Sequence, residues 1–360
     1  MKTYRVGIVG LGRMGSTIDD EGHAIKPYAI AGCCQEMDQL ELVAGTDLQE
    51  DKRSAFTERW GIEAVYENYL EMVEKEHLDL VAICTTASGL FKPANEAPDA
   101  SFRGDSHADL TVSLSNAGVP MLYVEKAVAS SMVRMDEVRD TVKANGTVFN
   151  SGVLRRFNEH YQAVKAAIDH GIIGEPKAVT HFAASSLMHG HIHSIDTVSY
   201  LVGDPKIQSV RGELQPLDTV IENDHIAYDP RATYQLMFEN GIYAASIPMG
   251  QWEFEVLGTE GSIRSQNNGQ AVLLRKPGEP IGKRFAWETV PFDEVTARSH
   301  VISCLEDIID AHEQDRPTLG QIDVTHHITE ACIAVAESHR ADGRWIDLPL
   351  SNRGLYIFHI

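Results

Sequence analysis

The chain opens on a short apolar, β-branched run, Val6, Ile8 and Val9, of the kind that fills a parallel strand buried on both faces. Comparable runs recur at 42–47, 78–84, 120–124 and 147–153, and the stretches between them, 49–60, 66–74, 107–117 and 132–145, read as helices. Strands alternating with helices predict an α/β domain with a doubly wound parallel sheet, complete by residue 153. Beyond it the pattern changes. A helix over 157–170, stopped by Gly171 and Gly174-Glu175-Pro176, precedes strands at 177–184, 207–214, 233–238, 242–247, 254–257 and 271–274. Short turns such as Glu239-Asn240-Gly241 join some of them, which predicts an open, mostly antiparallel sheet, with helices over 299–314 and 323–340 completing an α+β domain. The expected division is 1–153 and 154–360.

The first strand runs into Gly10-Leu11-Gly12-Arg13-Met14-Gly15, a G-x-G-x-x-G match. Gly10 permits the tight turn, Gly12 lets the backbone approach a pyrophosphate, and Gly15 lets the next helix sit close to the strand. The second strand ends at Asp47, an acid suited to accept hydrogen bonds from the adenosine ribose and to repel the extra phosphate of NADP. A helix cap is the other reading of Asp47. These features predict an N-terminal Rossmann domain that binds NAD, with NADP disfavoured. Arg13, Met14, Thr85, Thr86, His107 and Glu125 are further candidates at that cofactor site. Asp47 lies further from the glycines than the roughly 20 residues usual for the motif. The interval therefore holds an insertion, read as a loop at Asp19-Asp20-Glu21-Gly22 and a resumed helix over 27–37.

Residues 87–105 show no periodicity and are rich in turn formers. A loop this long in a compact domain is either functional or disordered, and its place after a strand end favours a lid or substrate wall.

The formal charge of -21 opposes nucleic acid and anionic membranes as partners. No apolar run reaches the roughly 18 residues of a membrane span, and the N-terminus leads straight into a strand, so a cytoplasmic location is expected. The five cysteines are scattered, with no C-x-x-C, and read as reduced core thiols.

Five ordered blocks resemble the Gfo/Idh/MocA oxidoreductases, the family of glucose-fructose oxidoreductase and inositol dehydrogenase. They are V-G-I-V-G-L-G-R-M-G at the start, E-K-A-V-A-S-S at 125–131, G-V-L-R-R-F at 152–157, H-S-I-D-T-V-S-Y-L-V-G at 193–203 and E-V-L-G-T-E-G-S-I at 255–263. The resemblance implies a nicotinamide cofactor, a hydroxyl-bearing carbon as hydride donor, and a C-terminal sheet that pairs chains into a homodimer or homotetramer. Within it, Lys126 matches the lysine beside the nicotinamide, which can polarise a carbonyl or stabilise a developing alkoxide. His193 matches the family's histidine, with Asp196, Leu201 and Gly203 in register, and suits general acid/base work. Arg155, Arg156, His189, Asp196 and Trp252 are candidates on the substrate side.

Three positions depart from the family's pattern. The acid four residues before the histidine is His189, the proline after the lysine is Ala127, and the proline of R-F-x-P is Glu159. With Ala127 in place of proline, a trans Lys126–Ala127 peptide is expected. His189, His191 and His193 also suggest a metal, yet on a helix 189 and 193 share a face while 191 points elsewhere, so none is expected. The leading expectation is an NAD-dependent dehydrogenase oxidising a secondary alcohol of a sugar, cyclitol or related polyol. Redox-neutral sugar chemistry with retained, recycled NAD, and a non-catalytic NAD- or sugar-sensing protein, are the alternatives.

Overall fold

The computed structural model describes residues 2–22, 25–86 and 105–359. The loop expected to act as a lid, 87–105, lies outside them except for Asp105. The chain divides into two compact units, one of 1–157, 298–326 and 358–360, the other of 158–297 and 327–357.

In the first unit β1 (Tyr4–Val9), α1 (Ile30–Glu36), β2 (Leu40–Thr46), α2 (Glu50–Trp60), β3 (Val65–Tyr66) and α3 (Tyr69–Glu76) lead to β4 (Leu80–Ile83). Then come α4 (Ser106–Asn116), β5 (Met121–Val124), α5 (Met132–Asn145) and β6 (Val148–Ser151). Among the described residues the six strands pair in the order β3-β2-β1-β4-β5-β6, with parallel neighbours throughout. In this order the chain reverses direction between β1 and β4, and ligands of such sheets bind beyond the strand ends at that point. β3 lies partly in a stretch read as helix from the sequence; two residues of Val-Tyr are too short for a pattern to mark them.

In the insertion, the stretch read as a loop holds a short 3-10 turn, Ile18–Glu21, and the resumed helix expected over 27–37 is α1. The Asp19 carboxylate accepts from the amides of Tyr28 and Ala29 at 2.7 and 3.1 Å, so it supplies the start of α1 with the acceptor that α1 lacks locally.

The second unit holds α6 (Glu159–Asp169), β7 (Pro176–Phe182), β8 (Ser185–Ser186), α7 (Ile192–Leu201), β9 (Ile207–Gln215), β10 (His225–Ile226), β11 (Arg231–Phe238) and β12 (Tyr243–Ile247). It continues through β13 (Glu253–Gly258), β14 (Gly261–Gln266), β15 (Ala271–Ile281) and β16 (Arg284–Val290). Its main sheet runs β16-β15-β14-β13-β7-β12-β11-β9-β17, where β17 is Ile346–Asp347, and only β7 and β12 pair in parallel. β9 and β11 alternate buried and half-exposed or exposed positions along their length, as a sheet covered on one face requires.

The segment 298–326, expected in the C-terminal domain, belongs with the first unit. Its helix α8 (His300–Gln314) places Val301, Cys304, Leu305, Ile308 and Ile309 in the apolar core shared with β1 and β5. Tyr4 Oη donates to Glu313 at 2.9 Å, and Asn150 donates to Asp307 at 3.2 Å. α9 (Ile322–Arg340) begins in the first unit and continues in the second. No helix among the described residues is long and apolar enough to cross a membrane.

Candidate functional site

The turn after β1 is built for close backbone approach. Gly10 sits at φ 95°, and a Cβ there would lie 2.7 Å from Cys84 C and Thr85 N, so only glycine lets β1 and β4 end side by side. A Cβ on Gly15 would fall 2.1 Å from the Gly10 carbonyl oxygen. At Gly12 the same atom meets only Lys52 Nζ, at 4.0 Å. The turn is therefore packed from within and open at Gly12, as a pyrophosphate cradle needs to be. The helix that follows is not a regular α-helix: a five-residue π turn, Arg13–Thr17, leads into the 3-10 turn.

Asp47 stands directly after β2, with Oδ2 accepting from the Leu11 amide at 3.0 Å and Oδ1 from the Gln49 amide at 3.0 Å. Its carboxylate thus ties the glycine turn to the approach to α2, whose N-cap residue is Gln49. Lys52 lies 4.0 Å from Asp47 Oδ2. Position in the sequence gave no sign of Lys52, because one turn of α2 brings it back over the loop. Arg13 forms a two-pronged pair with Glu21 at 2.6 and 2.7 Å, which raises its pKa, and Met14 packs against the core. The open backbone at Gly12 and the acid after β2 suit a dinucleotide.

At the end of β5, Glu125 is buried and its Oε1 accepts from Tyr123 Oη at 2.6 Å. Burial first, and then this carboxylate, push the Tyr123 hydroxyl well above its ordinary pKa. Tyr28 is pushed to about 12 by burial and by the charge of Glu125, with Arg155 acting in the opposite direction. Lys126 follows, half-buried. The Lys126–Ala127 peptide is cis, which overturns the expectation of trans. That expectation came from the free peptide's preference, whereas here Ala127 is buried and its carbonyl faces a ring nitrogen of His107. His107, a cofactor candidate, is only 1% exposed and has both ring nitrogens against backbone carbonyls. Thr85 Oγ1 lies 3.2 Å from Ser106 Oγ, which donates to the Thr86 carbonyl. Arg155 is half-buried and Arg156 almost fully buried.

In the second unit the three histidines separate by environment. A π turn, Leu187–His191, runs into α7, leaving His189 exposed, His191 buried and His193 half-buried. His191 has Nδ1 2.9 Å from Ser194 Oγ and Nε2 2.8 Å from the Ala232 carbonyl, and burial lowers its pKa to about 4. Its ring is thus an internal, uncharged member of a group with His181 and Tyr234. Asp196 is buried on α7, and Trp252 sits at positive φ with its ring 5.4 Å from that of His181. A carboxylate does stand against the backbone at position 189. Asp229 accepts from the amides of Met188 and His189 at 2.8 and 2.7 Å. A separation of 40 positions along the chain hid this partner from a spacing argument. Among the described residues no cluster of three or more His, Cys, Asp or Glu side chains could hold a metal ion.

A Rossmann unit with a glycine cradle and a strand-end acid, followed by a unit with an open mixed sheet, defines a dinucleotide-dependent oxidoreductase architecture. Residues 4–153 match an oxidoreductase family's NAD-binding Rossmann fold and residues 180–348 its C-terminal alpha/beta domain. The chain belongs to the Gfo/Idh/MocA oxidoreductase family. The scyllo-inositol 2-dehydrogenase (NAD(+)) of Bacillus subtilis is 26% identical over 324 residues, 84% of this chain and 83% of that protein. The myo-inositol 2-dehydrogenase of Thermotoga maritima is 22% identical over 214 residues, a match that spans 56% of this chain and 55% of that protein. The aldose-aldose oxidoreductase from Caulobacter crescentus, solved with glycerol, superposes with a TM-score of 0.73 at 18% identity, over 96% of this chain and 100% of that one. That likeness concerns the fold.

Proposed function

We propose that this protein is an NAD-dependent dehydrogenase that oxidises a secondary hydroxyl of a cyclitol, sugar or related polyol. The observation that carries the reading is the placement, at the C-terminal ends of strands of one parallel sheet, of the glycine turn after β1, Asp47 after β2 and Glu125-Lys126 after β5. The likeness to an inositol dehydrogenase over 84% of this chain supports a cyclitol as the first substrate to try.

Bound NAD would supply the hydride acceptor, and Asp47 would accept from its ribose hydroxyls and disfavour a 2′-phosphate. The Lys126 ammonium stabilises charge that develops on the reacting oxygen, and a neutral His193 takes the alcohol proton on a ring nitrogen. Glu125, buried behind Lys126, helps hold that turn through Tyr123. His189, Asp196, Arg155 and Trp252 are assigned to the substrate side. The test is a panel of cyclitols and sugars, myo-inositol first, with NAD and with NADP, read as NADH or NADPH formed. No reduction of either cofactor by any member overturns the reading.

Self-association through the second unit's sheet belongs to the same proposal, supported by exposed Ile247, Met249, Ile281 and Trp287. Light scattering that finds a monomer at micromolar concentration contradicts it. Five free, buried cysteines support a reducing, cytoplasmic setting.

A further inference from the structure

We propose that His107 is a positioning residue for Lys126, acting through the backbone at two strand ends. The proposal rests on the assignment of Lys126 given above, and it concerns the first unit alone. His107 stands one residue inside the start of α4 and is 1% exposed. Its Nδ1 lies 2.9 Å from the carbonyl oxygen of Ala127, the residue after Lys126, and its Nε2 lies 2.9 Å from that of Thr85, past the end of β4. The ring is thus a rigid spacer between the turn carrying the lysine and the strand end facing Gly10.

The residues before it pin the same two segments. Asp105 Oδ1 accepts from the Ser130 amide at 2.6 Å, and Ser106 Oγ donates to the Thr86 carbonyl. Three consecutive residues at the head of α4 therefore hold 85–86 on one side and 127–130 on the other. From the far end of the chain, His359 places Nδ1 3.3 Å from Ser130 Oγ. No pattern in the sequence links His359 to this turn.

A neutral imidazole has one N–H and can donate to only one of the two carbonyls; a second proton is needed to serve both. Burial is the largest influence on His107 and lowers its pKa; the two carbonyls and the charge of Glu125 raise it, and His359 lowers it. The contribution of His107 is the shape of a planar ring that reaches two carbonyls at once, with a hydrogen bond to at least one of them. The lysine side chain extends over several rotatable bonds from this backbone, and displacement of about 1 Å at a reacting group costs roughly 10²-fold in rate.

The test compares His107→Ala and His107→Gln with the unaltered protein. Glutamine keeps a donor for one carbonyl and loses the rigid ring. Melting temperature reports folding, NADH fluorescence reports the dissociation constant, and brief acetic anhydride labelling reports Lys126. Labelling is read by mass spectrometry as the ratio of Lys126 to Lys177, whose side chain is 60% exposed. The expected result for His107→Ala is a ratio changed by about threefold or more, kcat on myo-inositol lowered about tenfold or more, and NADH affinity within about threefold. Glutamine should recover part of both changes. An unchanged ratio with unchanged kcat in folded His107→Ala overturns the proposal, as does a loss of NADH affinity that accounts for the whole effect. If the alanine variant does not fold, the glutamine variant decides by the same two readouts. If the unaltered protein leaves myo-inositol and the rest of the panel untouched, the dehydrogenase reading fails, and the labelling ratio still judges His107.

Discussion

The glycine turn of the first unit and the histidine segment of the second make opposite demands on sequence. In the turn, each residue's task follows from its place along the chain. Gly10, Gly12 and Gly15 fall where a strand, an open face and a following turn require them, and Asp47 reaches back to the Leu11 amide from the next strand. In the segment 187–201, alternate histidines meet three environments: exposed at 189, buried at 191 and half-buried at 193. The two regions teach that backbone-defined chemistry is readable from spacing, whereas side-chain chemistry on a helix depends on which elements pack around it.

Substitutions can break or sharpen that comparison. The largest effect is expected at Lys126, where Lys126→Ala should lower kcat by about 10³ with NADH affinity little changed, because the charge acts on the reacting oxygen. Comparable turnover in the variant would remove the turn's chemistry from the account. On the other side of the comparison, His193→Ala should lower kcat by about 10², the scale of a lost general base. His189→Asp should retain activity and move the pH profile. If His189→Ala abolishes turnover and His193→Ala leaves it within a few-fold, the two roles are exchanged.

The third prediction uses pH instead of mutation. His191 is held at about 4 when folded, against roughly 6.5 unfolded, so the unfolded chain binds more protons between those values. Stability from this group is complete above about pH 6.5 and falls as pH drops towards 4, by up to about 3 kcal/mol. His191→Gln should flatten that part of the denaturant midpoint against pH curve; an unchanged slope would contradict the assignment. Next comes Asp229→Ala, which strips the Met188 and His189 amides of their acceptor and should cost about 2 kcal/mol in urea unfolding. The smallest effect is expected at Asp47. Asp47→Ser should weaken NAD binding by about tenfold and narrow the preference over NADP, as titration calorimetry would show. Equal binding of the two cofactors by the unaltered protein would deny Asp47 its discriminating role.

The parallel sheet was legible because its strands are buried on both faces and read as continuous apolar runs. The short edge strand β3 was not, being two residues long. α8 was found as a helix, yet its membership of the first unit was hidden, since an apolar face does not name the core it enters. The same limit applied at the site. Lys52 comes to Asp47, and Tyr28 and Tyr123 to Glu125, through folding, and Asp229 and His359 lie far along the chain from the groups they hold. The cis peptide at Lys126 went unforeseen because a preference measured on free chains ignores what packs around the bond.

The most direct test of the central claim is the ratio of NADH released to ketone formed when the purified protein turns over myo-inositol, or the best substrate in the panel, with excess NAD. An NAD-dependent dehydrogenase of the kind proposed gives about one NADH per ketone, and Lys126→Ala abolishes both together. Product without free NADH would contradict the claim in favour of retained, recycled cofactor. Dinucleotide binding with no product from any polyol would leave a binding protein in place of an enzyme.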